Sequence, residues 1–372
     1  MARISPLAVL WKRLQIQNNI PLSPLTTLRV GGPARYFADA QNEADVIAAL
    51  SYANGRRLPL FVLGGGSNLV VSDRGWPGLA LKIGLKGITT QAEGDSQVFH
   101  VAAGENWDNF VALTVEQNLA GMECMSGIPG TVGGTPVQNV GAYGQEVSQT
   151  IISVRVLERA TGEIFDLSNH ECQFAYRSSI FNTQQRDRYI VLRVSYKLTK
   201  NGPPALRYAD LQKFFERTQT PPTLLQVREA VLRIRQSKAM LLLPGDEDSR
   251  SAGSFFKNPI VTREEASRIQ ALAERRSTQS KLSIYAAGDG RVKLPAAWLI
   301  EQSGLVKGFT RGPVAISRKH ALALVNRGGA TAEDVIALKD EIQRRVFDVW
   351  GVRLEPEPVF LGFDSDELEK SH

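Results

Sequence analysis

Between Gly127 and Gly144 the chain reads Gly-Ile-Pro-Gly-Thr-Val-Gly-Gly-Thr-Pro-Val-Gln-Asn-Val-Gly-Ala-Tyr-Gly, six glycines and two prolines in eighteen residues. No regular element accepts that composition, because proline removes a backbone donor and each glycine must lose more conformational freedom than any other residue. Strand and helix signals stand on both sides, so this is a long irregular segment inside a compact domain, and such segments are usually functional. A second glycine run, Leu63-Gly64-Gly65-Gly66-Ser67-Asn68-Leu69, directly follows an apolar strand signal. Successive glycines let backbone N–H groups turn inward towards a phosphate, and Ser67 and Asn68 add side-chain donors. The run is neither a Walker A loop nor a Rossmann G-x-G-x-x-G, since no long helix follows. Alone it reads equally well as a tight turn between strands. Two such loops in one domain favour a flat, elongated ligand that carries phosphates.

The sequence around these loops alternates between strand and helix signals. Asn42 caps a short amphipathic segment with Val46, Ile47 and Leu50; strands are expected at 60–63, 69–71, 79–83 and 98–102, and a helix over 107–119. Further strands are expected at 151–157, 163–167 and 189–198, the last two with period-two alternation. Residues 216–223 read as a linker that ends in Thr223, a cap for a helix with Val227, Val231 and Ile234 on one face. Thr262 and Glu265 form a capping box. Thr331 opens the longest helix, with Val335, Leu338, Ile342, Val346 and Val349 three and four apart, and Gly351 ends it. Strand-rich sequence gives way to helix-rich sequence near residue 220, where a domain boundary is expected.

Composition excludes several classes. At 372 residues the chain is long enough for two or three domains. Two cysteines, Cys124 and Cys172, provide no disulfide framework and favour a reducing compartment; with four scattered histidines they give no metal-site spacing. The N-terminal run Met1 to Trp11 is interrupted by Lys12 and Arg13 and lacks a cleavage pattern, and no stretch approaches the ~20 apolar residues of a membrane span. A cytoplasmic protein without membrane partner is expected. The net charge of +6 comes from basic residues spread along the chain, which argues against a nucleic-acid partner and suits a phosphate-bearing ligand.

Several segments, in order, carry a resemblance. They are Thr27-Leu-Arg-Val-Gly-Gly-Pro-Ala34, 63–69, Ala103-Gly-Glu-Asn-Trp107, 127–144, Tyr176-Arg177-Ser178-Ser179, Ala252-Gly-Ser-Phe-Phe-Lys-Asn-Pro259 and Leu354-Glu-Pro-Glu357. Together they resemble the UDP-N-acetylenolpyruvoylglucosamine reductase family over roughly residues 20 to 362. Tyr208-Ala209-Asp210-Leu211 resembles the subgroup that closes a tyrosine-bearing loop over the substrate. The resemblance implies an α+β protein: a two-subdomain FAD-binding fold of the vanillyl-alcohol-oxidase type plus a C-terminal α+β substrate-binding domain. The implied segments are 20–220 for FAD (subdomains 20–78 and 79–220), 221–350 for substrate and 351–363 as a closing strand; the acidic residues 364–372 are expected, from their composition, to be a disordered tail.

It also implies the chemistry. FAD, held non-covalently, would lie along Gly64, Gly65, Gly66, Ser67 and Asn68 and along Gly130, Thr131, Gly133 and Gly134. NADPH would reduce it and leave before UDP-N-acetylglucosamine enolpyruvate binds in the same place. By the family motifs, Arg177 and Glu357 would hold the substrate carboxylate as charge moves towards it, and Ser254 would deliver the proton. Arg177 suits the task because guanidinium is always charged and can bind bidentately. Glu357 must be protonated or paired beside that carboxylate. Tyr208, Lys238, Asn258 and His320 match substrate-contacting positions. No metal is implied, and a monomer is expected.

Without the motifs, blander readings stand beside each of these. Arg177 reads as a surface arginine on a turn, Ser254 as a turn or cap residue, and Glu357 as an exposed strand-edge residue. Lys238 serves equally as a helix-end cation, and His320 as part of a solvated basic turn. An alcohol oxidase on the same flavin fold would share both glycine loops, and a basic binding module would need no flavin. The chain also departs from the family at Thr26, Gly133-Gly134-Thr135, Leu305-Val306-Lys307 and Pro358, and Asp246-Glu247-Asp248 reads as a loop insertion. Pro358 is expected to remove an N–H and bend its strand edge.

Overall fold

The computed structural model describes residues 14–276 and 281–364. The expectations for the N-terminal run before Leu14 and for the tail beyond Asp364 lie outside the described residues. Contacts divide the chain into two compact units, neither of them one stretch of sequence. The first comprises the chain up to Ile20, Ala34–Gly66 and Pro77–Gln236; the second comprises Pro21–Pro33, Ser67–Trp76 and the chain from Ser237 onward.

The first unit contains two main sheets. In the smaller, strands Gln17–Pro21, Pro33–Ala40, Trp76–Ile83 and Leu60–Leu63 lie side by side in that order. Leu60–Leu63 runs parallel to Trp76–Ile83, with Leu60 opposite Leu79. Asn42 caps the helix Glu43–Gly55 by accepting the Asp45 N–H at 3.0 Å, and that helix buries Val46, Ala49, Leu50 and Ala53. In the larger sheet, Ile164–Ser168, Ile151–Glu158, Tyr189–Lys200, Ser96–Ala102 and Ile88–Glu93 follow one another in antiparallel order. Phe99, Trp107, Phe110 and Tyr196 fill the space behind it. The helix expected to reach residue 119 ends at Glu116. Asn118 takes a left-handed conformation, φ +55°, and Leu119–Ala120 leaves as a strand paired with Lys200 and Thr199. Leu119 continues the helical apolar period, which is why the sequence pattern overruns.

The second unit has its own core, including Phe255, Phe256, Ile269, Leu299, Ile342, Val346 and Trp350. A four-stranded antiparallel sheet runs Ser251–Ser254, Ala323–Asn326, Val314–Ile316 and Thr310–Arg311. Val359–Leu361 pairs in parallel with Leu69–Val71. The helix Ala332–Trp350 buries Val335, Leu338, Ile342 and Val346, each contributing about 1.5–3 kcal/mol. Its N-terminus rests on Asp73, whose carboxylate accepts the Ala332 and Glu333 N–H groups at 2.8 and 3.1 Å. Gly351, φ +68°, ends it as expected. Thr262 and Glu265 form the anticipated capping box. Largely antiparallel sheets with separate helices make the protein α+β. No described helix is long and apolar enough to cross a membrane.

Candidate active site

In the first unit the two glycine loops meet. A Cβ built on Gly65 would lie 2.6 Å from the Gly130 Cα, and one on Gly64 would lie 2.9 Å from the Thr131 hydroxyl. Only glycines allow that approach, and they leave a surface of bare backbone, the kind of cradle a pyrophosphate takes. The second loop is fixed from below: the Trp107 N–H donates to the Gly130 carbonyl at 3.2 Å, and the Gly133 N–H to Ala103 at 2.8 Å. The Thr135 and Tyr196 hydroxyls share a 2.8 Å hydrogen bond in the core. Gly133 has no room for a side chain, since its Cβ would lie 2.5 Å from that of Ala103, whereas a Cβ on Gly134 meets nothing within 4 Å. The two neighbouring glycines therefore serve different purposes. These residues fit a bound dinucleotide.

One helix holds both ends of this loop. Asp108 accepts the Gly127 N–H at 2.6 Å and the two terminal guanidinium nitrogens of Arg228, at 2.6 and 3.0 Å. Burial works to raise the Asp108 pKa, but Arg228, the Gly127 N–H and the charge of Arg235 hold it below the ordinary value. Seven residues on, buried Arg235 hydrogen-bonds Tyr143 at the loop's far end. Burial pushes the Tyr143 hydroxyl up to about 12, with Arg235 pulling the other way. Tyr143 in turn meets the ring of Tyr208 edge-on, centroids 5.4 Å apart. The two arginines stand on the helix Leu224–Ser237, whose opening residue pair Thr223 and Gln226 cap each other reciprocally. Sequence reasoning left out Asp108, Tyr143, Arg228 and Arg235. The available signal was the two-turn spacing of the arginines beside a loop that needs anchoring.

Arg177 lies on a tight turn in which Ala175 and Ser178 exchange backbone hydrogen bonds of 2.9 and 3.1 Å. Its φ is +54°, a strained conformation for a non-glycine residue, and strain of this kind gathers at functional positions. The turn is secured by the Asn182 amide donating to the Arg177 carbonyl at 3.1 Å and by the Ser179 hydroxyl donating to Val137 at 2.6 Å.

Ser254, Glu357, Asn68, Asn258, Lys238 and His320 all belong to the second unit. The Glu357 N–H donates to the Phe255 carbonyl at 2.9 Å, and the Asn68 amide donates to the Glu357 carbonyl at 3.2 Å. Ser254 pairs with Ala323, and the Phe255 N–H donates to Leu322 at 2.7 Å. Ser254, Glu357, Asn68 and the turn bearing His320 are thus brought together by one ladder of backbone bonds. Glu357 is half-buried, not an exposed strand-edge residue. Pro358 is buried, and its missing N–H interrupts neither the Glu357 bond nor the 3.0 Å bond from the Val359 N–H to Asn68.

Asn258 accepts the Ala296 N–H at 2.9 Å, which commits its carbonyl to the start of the helix Ala296–Glu301. Lys238 stands just past the end of the helix Leu224–Ser237. His320 is half-buried, and its Nδ1 accepts the Leu322 N–H at 2.9 Å, so the proton sits on Nε2. Burial, then the charges of Lys238 and Lys307, lower its pKa to about 4, so the ring is neutral. The turn is therefore not simply a solvated basic one, although Arg318 and Lys319 are exposed. Thr26 is buried and makes its bonds locally, donating to Ser23 at 3.2 Å and accepting the Arg29 N–H at 3.1 Å.

Two family models match the chain: an FAD binding domain over residues 34–168 and the C-terminal domain of UDP-N-acetylenolpyruvoylglucosamine reductase over 245–361. The enzyme of that name from Thermobifida fusca is 47% identical over 348 residues, 92% of this chain and 97% of its own length. The one from Streptomyces coelicolor is 47% identical over 354 residues, covering 94% and 91%. Among solved structures, the UDP-N-acetylenolpyruvylglucosamine reductase of Thermus caldophilus is similar with a TM-score of 0.63 at 26% identity, over 94% of this chain and 99% of that one.

Proposed function

The chain belongs to the UDP-N-acetylenolpyruvoylglucosamine reductase family, and on that premise we propose how its residues carry the reaction. The reaction is the FAD-dependent reduction of UDP-N-acetylglucosamine enolpyruvate to UDP-N-acetylmuramate by NADPH, a step of peptidoglycan precursor synthesis. Held by this chain, FAD would supply the hydride chemistry, relaying reducing equivalents from NADPH to the terminal carbon of the enolpyruvyl double bond, which would take up a hydride. The product gains that hydride at one carbon and a proton at its neighbour, so NADPH and one proton are consumed per sugar.

The residues of this chain divide the work. Gly64, Gly65, Gly66, Ser67, Asn68, Gly130, Thr131, Gly133 and Gly134 hold FAD non-covalently. Arg177 holds the substrate carboxylate, where negative charge accumulates as the double bond is reduced. Glu357 polarises the same group together with Arg177. Ser254 gives its hydroxyl proton to the neighbouring carbon and regains one from solvent. Tyr208, Lys238, Asn258 and His320 position the UDP portion, the neutral His320 ring donating from Nε2.

The observation that best supports this assignment is the backbone ladder that sets Ser254 and Glu357 on facing segments. The protein is further read as a cytoplasmic monomer that binds neither nucleic acid nor membrane, in keeping with its dispersed basic residues and two buried cysteines that form no disulfide. Purified protein should be yellow, with a flavin spectrum, and should oxidise NADPH rapidly only when the enolpyruvyl sugar is present. Rapid oxygen consumption without the sugar would favour an oxidase instead.

A further inference from the structure

The acidic segment Asp246-Glu247-Asp248, which the sequence presents as an inserted loop, is built into the second unit. Asp248 is buried. One of its carboxylate oxygens accepts the Ser317 hydroxyl at 3.0 Å and the Arg318 N–H at 3.1 Å; the other accepts the Arg327 guanidinium at 2.9 Å. Asp246 accepts the Lys319 ammonium at 2.8 Å and the Asp248 N–H at 3.0 Å. Three consecutive residues of the turn, Ser317, Arg318 and Lys319, are therefore gripped from one short segment.

What that turn presents is His320. The Ser317 hydroxyl, held by Asp248, also accepts the Lys319 N–H at 3.0 Å, and the Ala323 N–H donates to the His320 carbonyl at 3.2 Å. Ala323 is the partner of Ser254 across the ladder. Asp248 and Ser254 stand at opposite ends of one short run of chain, the strand Ser251–Ser254 and its approach. One carboxylate thus lies between the turn that bears the histidine and the entry to the strand that bears the serine. A surface loop would require none of this. A buried carboxylate with one cationic partner and two further donors is costly to disturb, because losing any of them leaves charge unsatisfied.

We propose that Asp248 is a positioning residue for the reaction: it holds the Ser317–Leu322 turn so that the Nε2–H of His320 meets the UDP-sugar beside Ser254. The inference rests on the reading of His320 as a substrate contact.

A double-mutant cycle tests it. Asp248→Asn keeps the shape and removes the charge, and His320→Gln removes the ring donor. Asp248→Asn should raise the KM for the enolpyruvyl sugar about tenfold, the effect of one displaced contact. Flavin content and the rate of flavin reduction by NADPH should stay within about twofold of wild type. Asp248→Glu should restore part of the loss. If Asp248 acts through His320, the double variant is no worse than the poorer single one. Effects that multiply would overturn the proposal, as would a KM unchanged by Asp248→Asn. Should Asp248→Asn fail to fold, Ser317→Ala removes only one of the donors and must still raise KM non-additively with His320→Gln; an unchanged KM there overturns the proposal too. Wild-type turnover of the sugar reports separately on the functional reading itself.

Discussion

Gly65→Ala places a methyl group where the two glycine loops meet. Its Cβ would lie 2.6 Å from the Gly130 Cα, 3.0 Å from the Gly130 carbonyl carbon and 3.2 Å from the Thr131 nitrogen. The first contact is about 1 Å inside the ~3.5–4.0 Å optimum for carbon pairs, and every opposing atom is backbone, so no side chain can swing away. Forcing such an overlap costs about 1–3 kcal/mol. If the loops separate to relieve it, the cradle loses that much affinity, and the FAD dissociation constant rises about 5- to 150-fold. Titration of apoprotein with FAD, followed by flavin fluorescence, measures this directly. Gly134→Ala is the companion: its Cβ meets nothing within 4 Å, so the apoprotein should melt at the wild-type temperature. Its FAD affinity should nevertheless fall, because the open space beside Gly134 is assigned to the cofactor. FAD binding within twofold of wild type in both variants would refute the placement of the pyrophosphate.

Three further outcomes follow from the charges. The folded-state pKa of Asp108 lies below its ordinary 3.8, so the unfolded chain binds the proton first. Its stabilising contribution is complete above that value and lost as pH falls through the lower folded one; urea unfolding of wild type and Asp108→Asn should converge below about pH 4. His320, lowered from 6.5 to about 4, has the same sense for a different reason: the unfolded ring takes up its proton in that window, so stability declines as pH falls from 6.5 towards 4. The His320 ring carbon signals should stay those of the neutral Nε2–H form at pH 5.5, and Lys307→Met should move the midpoint upward; a wild-type midpoint near 6.5 would contradict the burial argument. Arg177→Lys should lower sugar turnover at least about tenfold, since an ammonium cannot bind a carboxylate bidentately, and steady-state kinetics should show NADPH-driven flavin reduction little changed.

Much of the local structure was legible. Caps at Asn42, Thr262 and Thr331 and the stop at Gly351 follow from short-range chemistry that any chain context preserves. Period two marked the strand Tyr189–Lys200 because one of its faces is buried. The mostly exposed strand Ile88–Glu93 offered no such contrast. The composition of the units was not legible, since Pro21–Pro33 and Ser67–Trp76 join residues from beyond Ser237 through long-range contacts alone. At the site, motifs named Arg177, Ser254 and Glu357, whereas Asp108 and Asp248 had no motif to announce them. An acidic residue in a polar run looks solvated until its donors, Arg228 in one case and Ser317 with Arg327 in the other, are seen around it.

In the proposed reaction Ser254 protonates the substrate and does nothing for the flavin's own reduction. Anaerobic half-reactions of Ser254→Ala separate the two steps. NADPH should bleach the bound flavin at nearly the wild-type rate, and added UDP-N-acetylglucosamine enolpyruvate should then fail to restore its colour. Equal loss of both half-reactions, or reoxidation by the sugar at the wild-type rate, would contradict the account.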